Sequence, residues 1–131
     1  MKRFPFLTAD TAILVFRVVV SGILMAHGIM RLIEGTVNNF GDYLDSRGFV
    51  IGHAIAWFLT FFEIIGGLCM ALGFWVRWIA VVFIIEHCFG IILVHLPNGW
   101  FVVGHQSGGM EFSVLIIFSL LMIAATSKTK S

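Results

Sequence analysis

Hydrophobic positions fall in four long runs separated by short polar stretches. The runs cover about residues 11–33, 52–73, 77–96 and 110–126. Each is near the length, about 20 residues, that an α-helix needs to cross a bilayer. Between the first two lies Glu34–Ile51, which is polar and holds Gly35, Asn38, Asn39, Gly41, Asp42 and Gly48. There Phe40 and Leu44 sit one turn apart, Asn39 is placed to cap and Gly48 to terminate. The pattern predicts a short amphipathic helix lying at the membrane interface. Phe74–Val76 reads as a tight turn, Pro97-Asn98-Gly99 as a helix stop, and the stretch to Gly109 as an uncharged Gly-rich loop. Thr8 or Asp10 is placed to cap the first helix. The expected fold is all-α: one integral membrane domain over residues 1–131, a four-transmembrane-helix bundle with the interfacial helix between helices one and two. No linker, second domain or clear internal repeat is visible.

Composition points the same way. The chain has 131 residues, of which 60% are hydrophobic and 11% charged, with mean hydropathy +1.04. A soluble domain of this size cannot bury that much apolar surface, so lipid is its solvent. A net charge of +1 gives no reason to expect a nucleic-acid partner. The first run is too long for the core of a cleavable signal peptide. Cys69 and Cys88 lie in apolar runs without metal spacing. Their expected axial gap of roughly 10 Å at 1.5 Å per residue is too wide for a disulfide, so both read as buried free thiols. Lys2, Arg3, Arg77, Lys128 and Lys130 fall on one side, against Arg47 and the helix-end Arg31 on the other. The positive-inside rule then puts both termini in the cytoplasm, with Trp75 and Trp78 at the inner interface and Trp100 at the outer.

The chemistry lies in the ionisable residues inside these runs, above all Glu63 in the segment from Trp57 to Arg77. A carboxylate in so apolar a setting has to face the protein interior and have a partner or a function. At 1.5 Å per residue from the cytoplasmic face, Arg17 falls roughly 9 Å deep, Glu63 about 15 Å, and Glu86 and His87 about 14 Å. These four form a candidate mid-membrane cluster. Near the outer face lie His27, Arg31, His53, His95, His105 and Glu111, of which His27, Arg31, His95 and Glu111 form a candidate outer cluster. Arg17, Ser21, Gly28 and Arg31 share a narrow arc of helix one, with His27 beside it. Gly52, Ala56, Thr60, Glu63, Gly67 and Met70 share a face of helix two, and Gly66-Gly67 lets another helix approach closely. On helix three, Glu86, His87 and His95 spread over about half the circumference. Arg17–Glu63 reads either as a structural ion pair or as a proton-accepting Glu tuned by a cation. Glu86–His87 reads either as an interhelical hydrogen-bond pair or as a proton relay or quinone contact. Metal or haem is not expected, because the histidines lack a pattern that enforces coordination geometry.

Five motifs in order, Arg17 within ILVFRVVVSG, AHGIMRL at Ala26–Leu32, FEIIGGLCMALGFWVRWIA at Phe62–Ala80, HLPNGWF at His95–Phe101 and GGMEFSVL at Gly108–Leu115, cover nearly the whole chain. Together they resemble the DoxX family of small bacterial four-helix membrane proteins. The chain departs in having Arg31 where the family often has Lys, and Met110 where an aromatic is common. Glu86, His87 and Gln106 look like local features of this chain. The resemblance implies a subunit of the kind associated with thiosulfate:quinone oxidoreductase, with other members linked to membrane redox complexes and to oxidative or thiol stress. By family position it carries over Arg17, His27, Gly28, Glu63, Gly66, Gly67, Gly73, Arg77, His95, Pro97, Asn98, Gly99, Gly109 and Glu111. The glycines and Pro97 read as structural and the charged residues as site candidates.

The expectation is a membrane subunit of a quinone-linked redox or respiratory complex in the bacterial inner membrane. Its cofactor would be a quinone, with no covalently bound group, and its partners other membrane subunits or further copies of itself. Either Glu63 with Arg17, or His27 with Glu111, would meet the quinone headgroup. Two alternatives compete: a non-catalytic accessory or assembly subunit packing against a larger complex, and a small transporter. Small size and the lack of paired broken helices count against the transporter. Whether the chain has an activity of its own stays open.

Overall fold

A computed structural model describes residues 6–128, and every regular element among them is helical. Lys2, Arg3 and Lys130, three of the basic residues used to orient the chain, lie outside the described residues. So does Pro5. Three helices are long and apolar enough to cross a membrane: Ala9–Ile33, Gly52–Leu72 and the continuous helical stretch Val76–Asn98. A shorter apolar helix covers Glu111–Thr126. The chain divides into two compact units, Met1–Phe74 and Trp75–Ser131.

The first unit holds α1 (Ala9–Ile33), α2 (Val37–Ser46) and α3 (Gly52–Leu72). Thr8 starts α1, as its pattern predicts: the Thr11 N–H donates to Thr8 Oγ1 at 3.2 Å, which satisfies one of the orphan donors of the first turn. α2 begins after Thr36, so Asn39 lies inside the helix and does not cap it. Nor does the side chain of Thr36 cap it, and α2 depends on packing instead. Its apolar side, Val37 and Leu44, is buried, while Asn38, Asp42 and Asp45 are exposed. Asp45 Oδ1 accepts from the Gly52 N–H at 2.8 Å, tying the end of α2 to the first turn of α3. The buried face of α3 is Gly52, Ala56, Thr60, Glu63, Gly66, Gly67 and Met70. That is the small and polar stripe read from the sequence, and it meets Ser21, Met25 and Gly28 of α1. α3 ends at Gly73, which adopts φ +92°. A left-handed residue there lets the Phe74 N–H reach back to the Cys69 carbonyl at 2.8 Å, and only glycine enters that region without a steric penalty.

The second unit pairs α4 (Val76–Gly90) with α5 (Glu111–Thr126). Val76, Ile79, Ala80 and Phe83 of α4 are buried, as are Ser113, Ile116, Ser119, Leu120 and Ile123 of α5. Helix three was expected to stop at Leu96. Instead α4 passes into a π turn at Ile91–His95 and a 3-10 turn at Leu96–Asn98, and Gly99 at φ +83° ends it. Pro97 fits because the first positions of a helical turn need no donated N–H. Arg77 Nη2 donates to the Ser127 carbonyl at 3.0 Å, where the C-terminus of α5 presents unpaired carbonyls and the negative end of its dipole. Cys69 and Cys88 are free thiols but not buried ones: Cys69 is half-buried and Cys88 is exposed on the surface of its helix.

Candidate functional site

The polar centre of the first unit is Glu63, 5% exposed. Its partner is Arg31, not Arg17. Arg31 Nη1 donates to Glu63 Oε2 at 2.9 Å and Nη2 to Oε1 at 3.3 Å. The same Nη1 donates to Thr60 Oγ1 at 3.0 Å, and the Thr60 hydroxyl donates onward to the Ala56 carbonyl at 2.7 Å. The Phe40 ring of α2 covers the guanidinium, with Cζ 4.8 Å from the ring centroid. A forked guanidinium matched to both oxygens of a carboxylate is the strongest form of such a pair. All three helices of the unit therefore converge on one charge pair.

The axial register explains why Arg17 is not the partner. Equal depths follow only if Thr11 and Gly73 lie at one level. The helices differ in length, 25 residues for α1 and 21 for α3, and it is Arg17 that lies beside Gly73. The first two turns of α1 project past the end of α3. Glu63 is then about 15 Å from Arg17 along the axis, beyond an arginine's reach. Gly28 is level with Thr60 and Glu63; a Cβ on it would stand 2.7 Å from the Thr60 carbonyl and 3.1 Å from Glu63 Cβ. Arg31, one turn further on, leans back toward its helix N-terminus as helical side chains do, and so lands on Glu63.

The other candidates make contacts within their own units. Arg17 Nη2 donates to the Ala71 carbonyl at 3.4 Å. His27 is exposed. His87 Nδ1 donates to the Phe83 carbonyl at 2.8 Å on its own helix, the preceding turn of α4. Glu86 is half-buried beside it. His95 Nδ1 donates to the Gly108 carbonyl at 2.9 Å, and Glu111 Oε1 accepts from the Val102 N–H at 2.9 Å. These last two residues thus share one task, fastening the loop of residues 99–110. Gln106 shares it, since its Oε1 accepts from the N–H groups of Trp100 at 3.0 Å and Phe101 at 3.3 Å. His53 Nε2 lies 2.8 Å from Asp42 Oδ1 at an exposed edge of α2 and α3. His105 stacks edge-on against Phe101, with centroids 5.2 Å apart.

Sequence reasoning found Glu63 and Arg31 but assigned them to different clusters. It missed Phe40 as the cover of Arg31, and no periodicity signals that contact. Thr60 was recoverable, because it stands one turn before Glu63 on the same buried face.

The family model for DoxX matches residues 12–96. No curated protein and no solved structure gives a significant match. The matched span contains Arg31, Glu63 and Thr60, and ends inside the π turn–3-10 segment that carries His95.

Proposed function

The chain belongs to the DoxX family, and from that membership we propose that it is a multi-pass subunit of a quinone-linked redox or respiratory complex in the bacterial inner membrane. In this reading α5, with 16 residues, is the fourth span, met by local thinning of the bilayer. α2 lies at the interface, and both termini face the cytoplasm. The observation that carries the proposal is the Arg31–Glu63 pair. Within apolar helices, a charge pair is costly compared with apolar side chains of equal volume, and intramembrane ionisable groups mark pathways and sites. A quinone needs an apolar slot for its tail and one or two hydrogen-bonding groups at its head. Arg31, Glu63 and Thr60 supply such groups among apolar walls.

A second reading, an accessory subunit that only packs against its partners, draws on a different observation. Both oxygens of Glu63 already accept from Arg31, and His87, His95 and Glu111 each bind backbone of their own unit. Glu63→Gln separates the two. For a quinone site, quinone reduction per assembled complex collapses. For an accessory subunit, complex yield falls while turnover per complex is unchanged, and the assignment of Glu63 to chemistry is then wrong. Mass spectrometry of what co-purifies from native membranes in mild detergent tests the shared premise: redox subunits are expected in stoichiometric amounts.

A further inference from the structure

Arg17 sits in the apolar run of α1 among the exposed side chains of Leu14, Val15, Val18 and Val19. No carboxylate pairs with it among the described residues. Its guanidinium lies instead against the end of α3, where the contact to the Ala71 carbonyl is long, 3.4 Å. Its Nε is shielded and has no hydrogen-bond acceptor. The backbone is shaped around it: a Cβ on Gly73 would stand 3.3 Å from Nη2 and 3.8 Å from both Cζ and Nη1.

These contacts leave the cation under-compensated. A helix C-terminus offers about half a negative charge, and a long hydrogen bond contributes little. The remaining donors of the fork need an anion. Only Gly73, Phe74 and Trp75 separate α3 from the next apolar helix, so a chain that crosses the bilayer with both must place this turn at a membrane face. Phe74, Trp75 and Trp78 are 54%, 61% and 75% exposed, as aromatic residues at that level are. Phosphates of lipid headgroups lie at the same level, and an arginine fork fits a phosphate bidentately.

We propose that Arg17, positioned by the C-terminal turn of α3, forms a binding site for a phosphate-bearing anion, supplied by the headgroup of an anionic phospholipid. Nη2 rests on the Ala71 carbonyl and the Nη1 side of the guanidinium takes the phosphate. The site does not depend on the redox reading.

The test places the full chain, labelled with 15N-arginine, in dodecyl maltoside micelles, which carry no phosphate, with or without phosphatidylglycerol. The Arg17 side-chain N–H signals are assigned with R17K. Phosphatidylglycerol is expected to shift them and slow their exchange, while millimolar inorganic phosphate in lipid-free micelles leaves them unchanged. A response to inorganic phosphate alone overturns the lipid source, and no response to either overturns the site. Because the readout is on the wild-type chain, misfolding of a variant does not enter. Native mass spectrometry adds a second arm. Retention of phosphatidylglycerol should fall roughly fivefold to tenfold in R17Q, with R17K between, and equal retention in monodisperse R17Q counts against the proposal.

Discussion

At the scale of single residues, burial decides what a charged pair is worth. The Arg31 and Glu63 side chains are 19% and 7% exposed, whereas those of His53 and Asp42 are 46% and 72% exposed. Replacing Glu63 with Gln leaves the Arg31 cation buried against a neutral amide. We expect a loss of about 3–5 kcal/mol, read as a shift in unfolding in a detergent titration. Replacing the pair together, Arg31→Met with Glu63→Leu, should recover most of that loss, because no charge is then left without its partner. His53→Ala should change stability by less than about 1 kcal/mol in the same titration, since water screens that pair. The buried position of Glu63 was legible in the sequence from the small and polar face it shares with Thr60 and Gly67. Its partner was not. Helical angle follows from residue number, but axial level depends on where each helix begins, and α1 starts two turns beyond the end of α3.

At the scale of elements, the α1–α3 contact rests on a close backbone approach. A methyl group at Gly28 would press on the Thr60 carbonyl at 2.7 Å and Ile64 Cγ1 at 2.9 Å, and a helix carbonyl cannot step aside. Gly28→Ala should therefore cost about 1–3 kcal/mol. Gly22→Ala, with nothing within 4 Å, should be neutral or stabilising by up to about 1 kcal/mol through helix propensity. Unfolding of the two variants side by side checks the contrast. The loop of residues 99–110 makes a different demand. Its Gly-rich sequence has no periodicity, so its fastening by His95, Gln106 and Glu111 could not be read from hydrophobic pattern. Gln106→Ala removes the acceptor of two backbone N–H groups. Amide exchange at Trp100 and Phe101 should accelerate roughly tenfold for about 1.4 kcal/mol of lost local stability, measurable by hydrogen exchange.

At the scale of the whole molecule, lipid is the solvent, and most of what the sequence says correctly follows from that. Helix limits came out within a few residues because the ends of apolar runs, Thr8, Gly48 and Gly73 are local signals. An alkaline carbonate wash should leave the chain in the membrane pellet, and detergent should release it; release by carbonate would contradict the spanning helices. One irregularity has no local signal, the π turn at Ile91–His95. Read as an insertion, it adds one residue to a turn and sets back the phase of everything after it by roughly 100°. In an uninterrupted α-helix His95 would stand roughly 180° from Glu86, on the far side. With the extra residue absorbed it stands at about 80°, nearly in line with His87 at about 100°. Deleting Ile92, whose side chain is exposed, would restore a plain helix and leave His95 at the same angle of about 80°, so amide exchange in the loop it fastens should stay unchanged. The π turn thus cancels a frameshift in space, keeping two histidines along one line of the helix.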